Sequence, residues 1–415
     1  MELESLLSTA DSKHDSSGYR ALDTRLRVAL LVETSKSFGR GLLRGIKRYT
    51  FTHQGWSIYI DERGLGDSPP VSLSSFNGLI VRSADKHMLE TLLDTGLPVV
   101  NLGESTHPNL PMLDTDDDSI CHMAAQHLLE RGYRHFGYVG FQGARWSDRR
   151  RDKFLHEIKQ AGFDCSVCEG VPWEGHEELW PKQQEVLTHW IEDLPRPAGV
   201  FACYDVMGLR LLDVCRALRI SVPERVAVIG VDNDEIICDL ADPPLSSVAH
   251  DVERIGYESA KLLDQLMAAT ERPDTFETAF VAPLGVVTRS STDTVAIDDP
   301  LIAAALRFIR LNASRGIQVS DVLEHVRISR TTLEKGFRKA IKRTPKGEIL
   351  RLQIKHAQHL LTETDYALSN VSRLAGFNHT EHFCKIFKQK VGVTPGQYRV
   401  QVPGDNLDLQ ADNGT

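Results

Sequence analysis

The most restrictive stretch of the chain is Gly376 to Lys388, Gly-Phe-Asn-His-Thr-Glu-His-Phe-Cys-Lys-Ile-Phe-Lys, with Gly392-Val393-Thr394-Pro395-Gly396-Gln397-Tyr398-Arg399 close behind. Phe383, Ile386 and Phe387 recur at helical spacing and define one buried stripe. The positions between and before them carry Thr, Glu, His and Lys, side chains that hydrogen-bond base edges or phosphates. Ala375-Gly376-Phe377 turns back to a helix predicted over Leu368–Leu374, the construction of a helix-turn-helix. The layout occurs twice: Val319–Val326 reads as a first helix and Ser329–Lys339 as a second. Residues 301–400 are therefore expected to form an all-α domain with two helix-turn-helix motifs.

Charge is partitioned in the same way. Residues 301–400 hold 18 Lys and Arg against 7 Asp and Glu, so in a chain of net formal charge −9 the remainder carries about −20. A basic domain joined to an acidic partner domain is the pattern of a nucleic-acid binder. A solvated basic surface would explain the charge alone, but not the doubled motif.

The segment resembles the DNA-binding domain of AraC-type transcription regulators, with Phe-Lys, Gly-x-Thr-Pro and Tyr-Arg elements at matching spacings. The resemblance implies that Arg330, Thr331, Glu334 and Lys335 face outward from one recognition helix, with Leu333 and Phe337 inward. It implies the same for Thr380, Glu381, His382 and Lys385 on the other, above Phe383 and Phe387. Glu can accept from cytosine N4, and Lys or Arg can donate to guanine. Two such helices would enter successive major grooves of double-stranded DNA, on promoter direct repeats. Lys388, Lys390, Arg343 and Arg399 suit phosphate contacts or plain surface charge.

Upstream the pattern changes. Residues 1–24 are polar, without the apolar core of a secretory signal, and are expected to be disordered, as is the tail 401–415. Order should begin at the apolar run Arg27–Val32, followed by a helix over Gly41–Tyr49. Strands are predicted at Trp56–Ile60, Gly78–Val81, Pro98–Leu102 and Phe136–Val139, with helices at Lys86–Thr95 and Asp117–Arg131. A second series follows: helix Arg149–Ala161, strand Cys165–Glu169, helix Trp180–Asp193, strand Gly199–Cys203, helix Val206–Leu218, strand Val226–Val231, segment Ser246–Val248, helix Ile255–Ala268. Strand–helix alternation in two series predicts two α/β lobes over residues 25–289, with ligands at the carboxyl ends of the strands. Residues 290–300 are polar turn formers, expected to be a linker.

Three phrases carry a second resemblance: Asp114-Thr115-Asp116 leading to Arg131-Gly132-Tyr133-Arg134-His135-Phe136-Gly137-Tyr138-Val139-Gly140; Pro197-Ala198-Gly199-Val200-Phe201-Ala202-Cys203-Tyr204-Asp205; and Val222-Pro223-Glu224-Arg225-Val226-Ala227-Val228-Ile229-Gly230-Val231-Asp232. They are similar to the sugar-binding core of LacI-type regulators, a two-lobed fold shared with periplasmic binding proteins. LacI-type chains carry their DNA-binding helices first, whereas here they come last. That order resembles the bacterial xylose operon activators. It implies a sugar effector, xylose by family, and an activator that acts as a homodimer and recruits RNA polymerase.

A neutral polyol is held by polar side chains in bidentate hydrogen bonds and by an aromatic face against its C–H surface. The strand-end loops offer Asp205, Asp232, Asn233, Arg145, Trp146 and Arg150, and, after the first strand, Phe38 and Arg40. Asp205 and Asp232 could instead cap following helices. Arg150 competes with Arg149 and Arg151 on a basic helix face, and Trp146 suits lobe packing equally well. Asp114 and Asp116 read as a turn or helix cap.

Other classes fit less well. Neither a Gly-rich phosphate loop nor a Gly-x-Ser-x-Gly elbow is present, so an enzyme is not expected, and no cofactor is implied. Cys165-Ser166-Val167-Cys168 has redox or zinc spacing, but without a second pair it reads as a strand end with ordinary thiols, and no metal is expected. Scattered cysteines and the lack of a long apolar run point to the cytoplasm and away from membranes. A regulator with an effector other than xylose, and a repressor whose core only dimerises, are the remaining alternatives.

Overall fold

The computed structural model describes residues 25–53, 55–60, 73–82, 86–103, 109–173, 179–270, 273, 275–293, 297 and 299–401. The segments expected to be disordered, 1–24 and 401–415, lie outside the described residues except for Gln401, which ends the last helix. The chain divides into two compact units, one of residues up to 114 with 251–281, the other of 115–250 with everything from 282 on.

The first unit begins with β1 (Arg27–Leu31), α1 (Ser37–Thr52), β2 (Ser57–Ile60), β3 (Gly78–Val81), α2 (Lys86–Asp94), β4 (Val99–Asn101) and β5 (Met112–Thr115). The second unit takes over with α3 (Asp117–Leu129), β6 (His135–Val139), α4 (Arg145–Gln160), β7 (Cys165–Cys168), α5 (Trp180–Asp193), β8 (Ala198–Ala202), α6 (Asp205–Ala217), β9 (Val226–Val231), α7 (Glu235–Leu240) and β10 (Ser246–Ala249). The chain returns to the first unit for α8 (Val252–Ala268) and β11 (Thr278–Val281), then re-enters the second at β12 (Gly285–Val287).

The first sheet runs β11-β5-β4-β3-β1-β2 and the second β12-β10-β9-β8-β6-β7. Their inner strands pair in parallel, and β3, β8 and β9 are buried along their whole length. Strands covered on both faces need unbroken apolar runs, which explains why β8 and β9 were legible as such. In the first unit α8 packs along α1: Leu42 and Ile46 meet Ile255 and Leu263 in one core, and the Tyr49 hydroxyl donates to Asp264 at 2.9 Å.

The remaining helices are α9 (Pro300–Asn312), α10 (Val319–Val326), α11 (Arg330–Ile341), α12 (Pro345–Glu363), α13 (Leu368–Leu374), α14 (Thr380–Val391) and α15 (Pro395–Gln401). They enclose two small cores, one around Ile302, Leu306, Leu333 and Phe337, the other around Ala357, Val371, Phe383 and Phe387. α12 serves both, with Ile349 in the first and Ile354 and Leu361 in the second. Midway along α12, Gln353 Nε2 donates to the Ala313 carbonyl at 3.1 Å and to the Gly376 carbonyl at 3.0 Å.

The structure adds what periodicity did not reveal. β5, α7 and β11 are short and lack a decisive apolar pattern, and α12 follows its N-cap Thr344 through a Pro at its first turn. α4 starts at Arg145, ahead of the expected Arg149; its first turn, Arg145 to Asp148, holds one apolar residue, Trp146, too few to show a helical repeat. Within the expected linker, Ser291 and Thr292 are fully buried. The Ser291 hydroxyl donates to Val228 O at 2.6 Å, and Thr292 Oγ1 lies 2.7 Å from both Ser246 Oγ and His127 Nε2. Polar composition marked a loop; these hydrogen bonds stitch it to the sheet.

Candidate functional site

At the carboxyl end of β9 the backbone enters the left-handed region twice in succession, with φ of 105° at Asp232 and 52° at Asn233. Non-glycine residues hold such angles only where their surroundings fix them. The fixing group is Asp205, the first residue of α6 and 1% exposed. One of its oxygens accepts from the Asp234 amide at 2.8 Å, the other from Ser247 Oγ at 2.6 Å. The Asn233 amide donates to Ser247 Oγ at 3.0 Å, and its side-chain oxygen accepts from Arg289 at 2.8 Å. Gly230 makes this packing possible, since a Cβ there would lie 2.3 Å from Asp205 Oδ1. Burial, and then the charge of Asp232, push the Asp205 carboxyl well above the usual carboxylate range.

Asp232 opens a second chain of contacts. Its carboxylate lies 3.0 Å from His250 Nε2, which lies 3.4 Å from an Arg150 nitrogen. The Arg150 guanidinium is buried, donating to Asp117 at 2.9 Å and to the Cys203 carbonyl at 2.7 Å. Burial opposes its charge, but Asp117 and then Asp232 outweigh that penalty and hold Arg150 firmly protonated. Asp117 also receives Arg149 at 3.0 Å.

Arg150 sits 5.5 Å from the Trp146 ring. Trp146 belongs to a four-ring cluster with Phe141, Trp173 and Tyr204, contributed by the ends of β6, β7 and β8 and the start of α4. Trp146 and Trp173 meet edge to face, 5.4 Å apart at 88°. Such rings offer flat apolar faces beside a fixed cation and carboxylate, the surfaces a polyol presents itself to.

In the first unit the loop after β1 has its own arrangement. Arg82 stacks over the Phe38 ring at 4.3 Å and lies 3.8 Å from Glu33, which Lys36 approaches to 3.9 Å. Arg40 turns back on its own loop, donating to the carbonyls of Thr34 at 3.1 Å and Ser35 at 2.6 Å.

Helices α11 and α14 present the opposite environment. On α11, Arg330, Thr331 and Lys335 are exposed, and Glu334, partly covered, accepts from Arg330 at 3.1 Å. Leu333 and Phe337 are buried beneath them, and Ser329 caps the helix by accepting the Thr332 amide at 3.1 Å. On α14, Glu381, His382 and Lys385 are exposed and Thr380 is partly covered, above buried Phe383 and Phe387. His382 rests edge-on against Phe377, 6.4 Å between centroids.

Family models match in the order the fold requires: a XylR N-terminal domain over residues 27–118, a periplasmic binding protein-like domain over 125–292, and a helix-turn-helix domain over 322–401. The xylose operon regulatory protein of Haemophilus influenzae is 31% identical over 383 residues, covering 90% of this chain and 98% of that protein. The chain belongs to the xylose operon regulator family. The protein of the same name from Escherichia coli K12 is 32% identical over 384 residues, covering 90% of this chain and 97% of that protein. A solved structure described as the xylose-binding transcription activator xylR superposes with a TM-score of 0.79 at 31% identity, over 92% of this chain and 99% of that one. A cellobiose complex of the regulator CelR shares the fold of the core alone, with a TM-score of 0.53 at 22% identity over 64% of this chain and 84% of that one.

As a xylose operon regulator the chain is a DNA-binding transcription regulator and not an enzyme. Of the effector candidates read from sequence, the structure brings Asp205, Asp232, Asn233, Arg150 and Trp146 into one network in the second unit. Asp205 lies behind the β9 turn and Arg145 is exposed at the start of α4, while Phe38 and Arg40 belong to the first unit. Sequence reasoning missed Asp117, His250, Phe141, Trp173, Tyr204 and Arg289. Phe141, Tyr204, Asp117 and His250 all lie within two residues of a strand's carboxyl end, a position that could have nominated them. Cys165 and Cys168 stand three apart on one strand, where side chains alternate between faces, so they cannot clasp one ion. Burial raises both thiols, Cys165 to about 12. Among the described residues no three His, Cys, Asp or Glu groups are placed to hold a metal, and no helix is long and apolar enough to cross a membrane.

Proposed function

We propose that this regulator is a transcription activator whose effector is D-xylose, acting in the cytoplasm as a homodimer on promoter direct repeats and recruiting RNA polymerase. One observation carries the effector half: two consecutive residues with left-handed backbone, Asp232 and Asn233, held over a buried carboxylate and joined through His250 and Arg150 to a ring cluster. Asp232, Asn233 and Arg150 supply hydrogen bonds to hydroxyls, and Trp146 supplies the apolar face. Arg145, exposed at the same helix start, is the peripheral candidate. Asp205 acts at one remove, by fixing the turn. In the loop after β1, Phe38 is the stronger ligand candidate, since Arg40 is engaged by backbone carbonyls. For the DNA half, Arg330, Thr331, Glu334 and Lys335 on α11 and Thr380, Glu381, His382 and Lys385 on α14 are assigned to base and backbone contact.

The sugar can shift the regulator toward its active state only by its difference in affinity for the two states. The test is thermal melting against D-xylose, L-arabinose, D-ribose and D-glucose. A saturable rise with D-xylose that Asp232→Ala abolishes supports the assignment. A rise with another sugar alone replaces the effector, and no rise with any of them leaves the core as a dimerisation module.

A further inference from the structure

Where the helices of the DNA-binding domain meet the rest of the second unit, they leave a crevice of about 980 Å3. One wall is formed by α6 and the segments around α7 and Arg289, the other by α9 and α12. Seven of its lining side chains are Arg, Lys or His and three are Asp or Glu, an imbalance that asks for an anion. Several of these cations already have a carboxylate: Arg310 pairs with buried Glu224 at 3.1 Å, Arg289 with Asp239 at 3.1 Å, and Arg216 with Asp213 at 2.5 Å. Lys355 shares Asp293 with Arg351, both at 3.2 Å.

Three cationic or protonatable groups are left over. Arg307 donates to the Arg219 carbonyl at 3.0 Å and, among the described residues, is in no ion pair, although, after Arg310, its charge also acts on buried Glu224 from a distance. His356 and His359 stand one turn apart on α12, and among the described residues neither they nor Arg307 is in an ion pair with a carboxylate. Burial, and then His359, lower the pKa of His356.

We infer that this crevice is a second ligand site, for a small phosphorylated organic anion. A phosphate takes charge-assisted hydrogen bonds from Arg and Lys and accepts from imidazole N–H groups. Leu311, exposed, and half-buried Leu352 in the same walls offer apolar surface to the sugar or base that carries it. The volume lies within the range of small-molecule sites. Arg289 belongs at once to this crevice and to the Asn233 hydrogen bond, so an anion that draws it away from Asp239 acts on the β9 turn as well. That coupling rests on the effector assignment; binding in the crevice does not.

The experiment is calorimetric titration and thermal melting of the full chain with D-ribose 5-phosphate, AMP and inorganic phosphate, at ionic strength matched with chloride. Ribose and adenosine serve as uncharged controls. The expected result is a saturable rise in melting temperature with one of the organic phosphates, larger than with phosphate alone. Arg307→Gln should weaken that binding about tenfold, the scale of one lost charge-assisted hydrogen bond. His356→Gln with His359→Gln should weaken it independently, and Lys385→Gln, on the DNA-reading face, should not. A response that fails to saturate, is equal with chloride, or survives Arg307→Gln and the double His variant overturns the inference. So does a loss of DNA affinity in Arg307→Gln without any binding of the three probes, which would make the crevice a seat for DNA phosphate.

Discussion

The β9 turn and the recognition helices carry the same kinds of side chain, yet the structure treats them in opposite ways. Around the turn, Asp205, Arg150, Asp117 and His250 are buried and hydrogen-bonded within the protein, Asp205 to Ser247 and the Asp234 amide, Arg150 to Asp117 and His250. On α11 and α14, Arg330, Lys335, Glu381 and Lys385 stand in solvent above apolar stripes. A buried polar network carries a large penalty when one member is lost, because its partners cannot turn to water. An exposed row of charges costs almost nothing in stability and acts only when another charged surface arrives. Substitutions in the first region should therefore read out as stability, and in the second as affinity.

The strongest challenge to that division is Arg150→Met. It leaves the Asp117 carboxylate with partly exposed Arg149 and a long hydrogen bond from Thr115, and should cost about 3–4 kcal/mol in urea unfolding; a loss below about 1 kcal/mol would overturn the idea that this network stabilises the fold. Asp205→Ala should cost about 2–3 kcal/mol by leaving the Asp234 amide and Ser247 hydroxyl without their acceptor. Because the Asp205 pKa is raised, the protonated form is favoured in the native state. Its contribution is complete below the ordinary carboxylate value of about 4 and is lost as pH rises through the raised value. Asp205→Asn should accordingly flatten the stability profile between about 4 and the raised value.

His127 gives the opposite slope. Burial, and then Arg131, depress its pKa to about 3, so it stays neutral in the fold. Stability is complete above about 6.5 and falls as pH drops towards the folded value, by roughly 1 kcal/mol per unit; His127→Gln should remove that slope. The smallest effect on stability belongs to Lys385→Ala, whose unfolding should match the parent within about 0.5 kcal/mol. Its DNA affinity should fall by about 1 kcal/mol, and if the contact is to phosphate the salt dependence should drop by about one ion.

How much of this was legible in the sequence follows the same division. Exposed functional residues over an apolar stripe have a period, so α11 and α14 could be placed from Leu333, Phe337, Phe383 and Phe387. Buried strands such as β8 and β9 announced themselves as unbroken apolar runs, and the residues ending them, Asp205 and Asp232, were found by position. The roles of those two were not legible. That Asp205 faces inward depends on Ser247 and the Asp234 amide, and that Asp232 has a histidine partner depends on His250, all remote in sequence. The ring cluster was missed for the same reason, because Phe141, Trp173 and Tyr204 come from different strand ends.

Gln353 has a consequence for the promoter. By holding Ala313 and Gly376 at once it clamps both halves of the DNA-binding domain to the middle of α12, a helix of 19 residues and so about 28 Å long. A clamp of that kind works as a ruler. It ties the α11 and α14 halves together, so if both helices read bases as proposed, the bases must keep a fixed phase on the DNA surface. Inserting half a helical turn between the two contacted segments should then disable the element as thoroughly as deleting one of them.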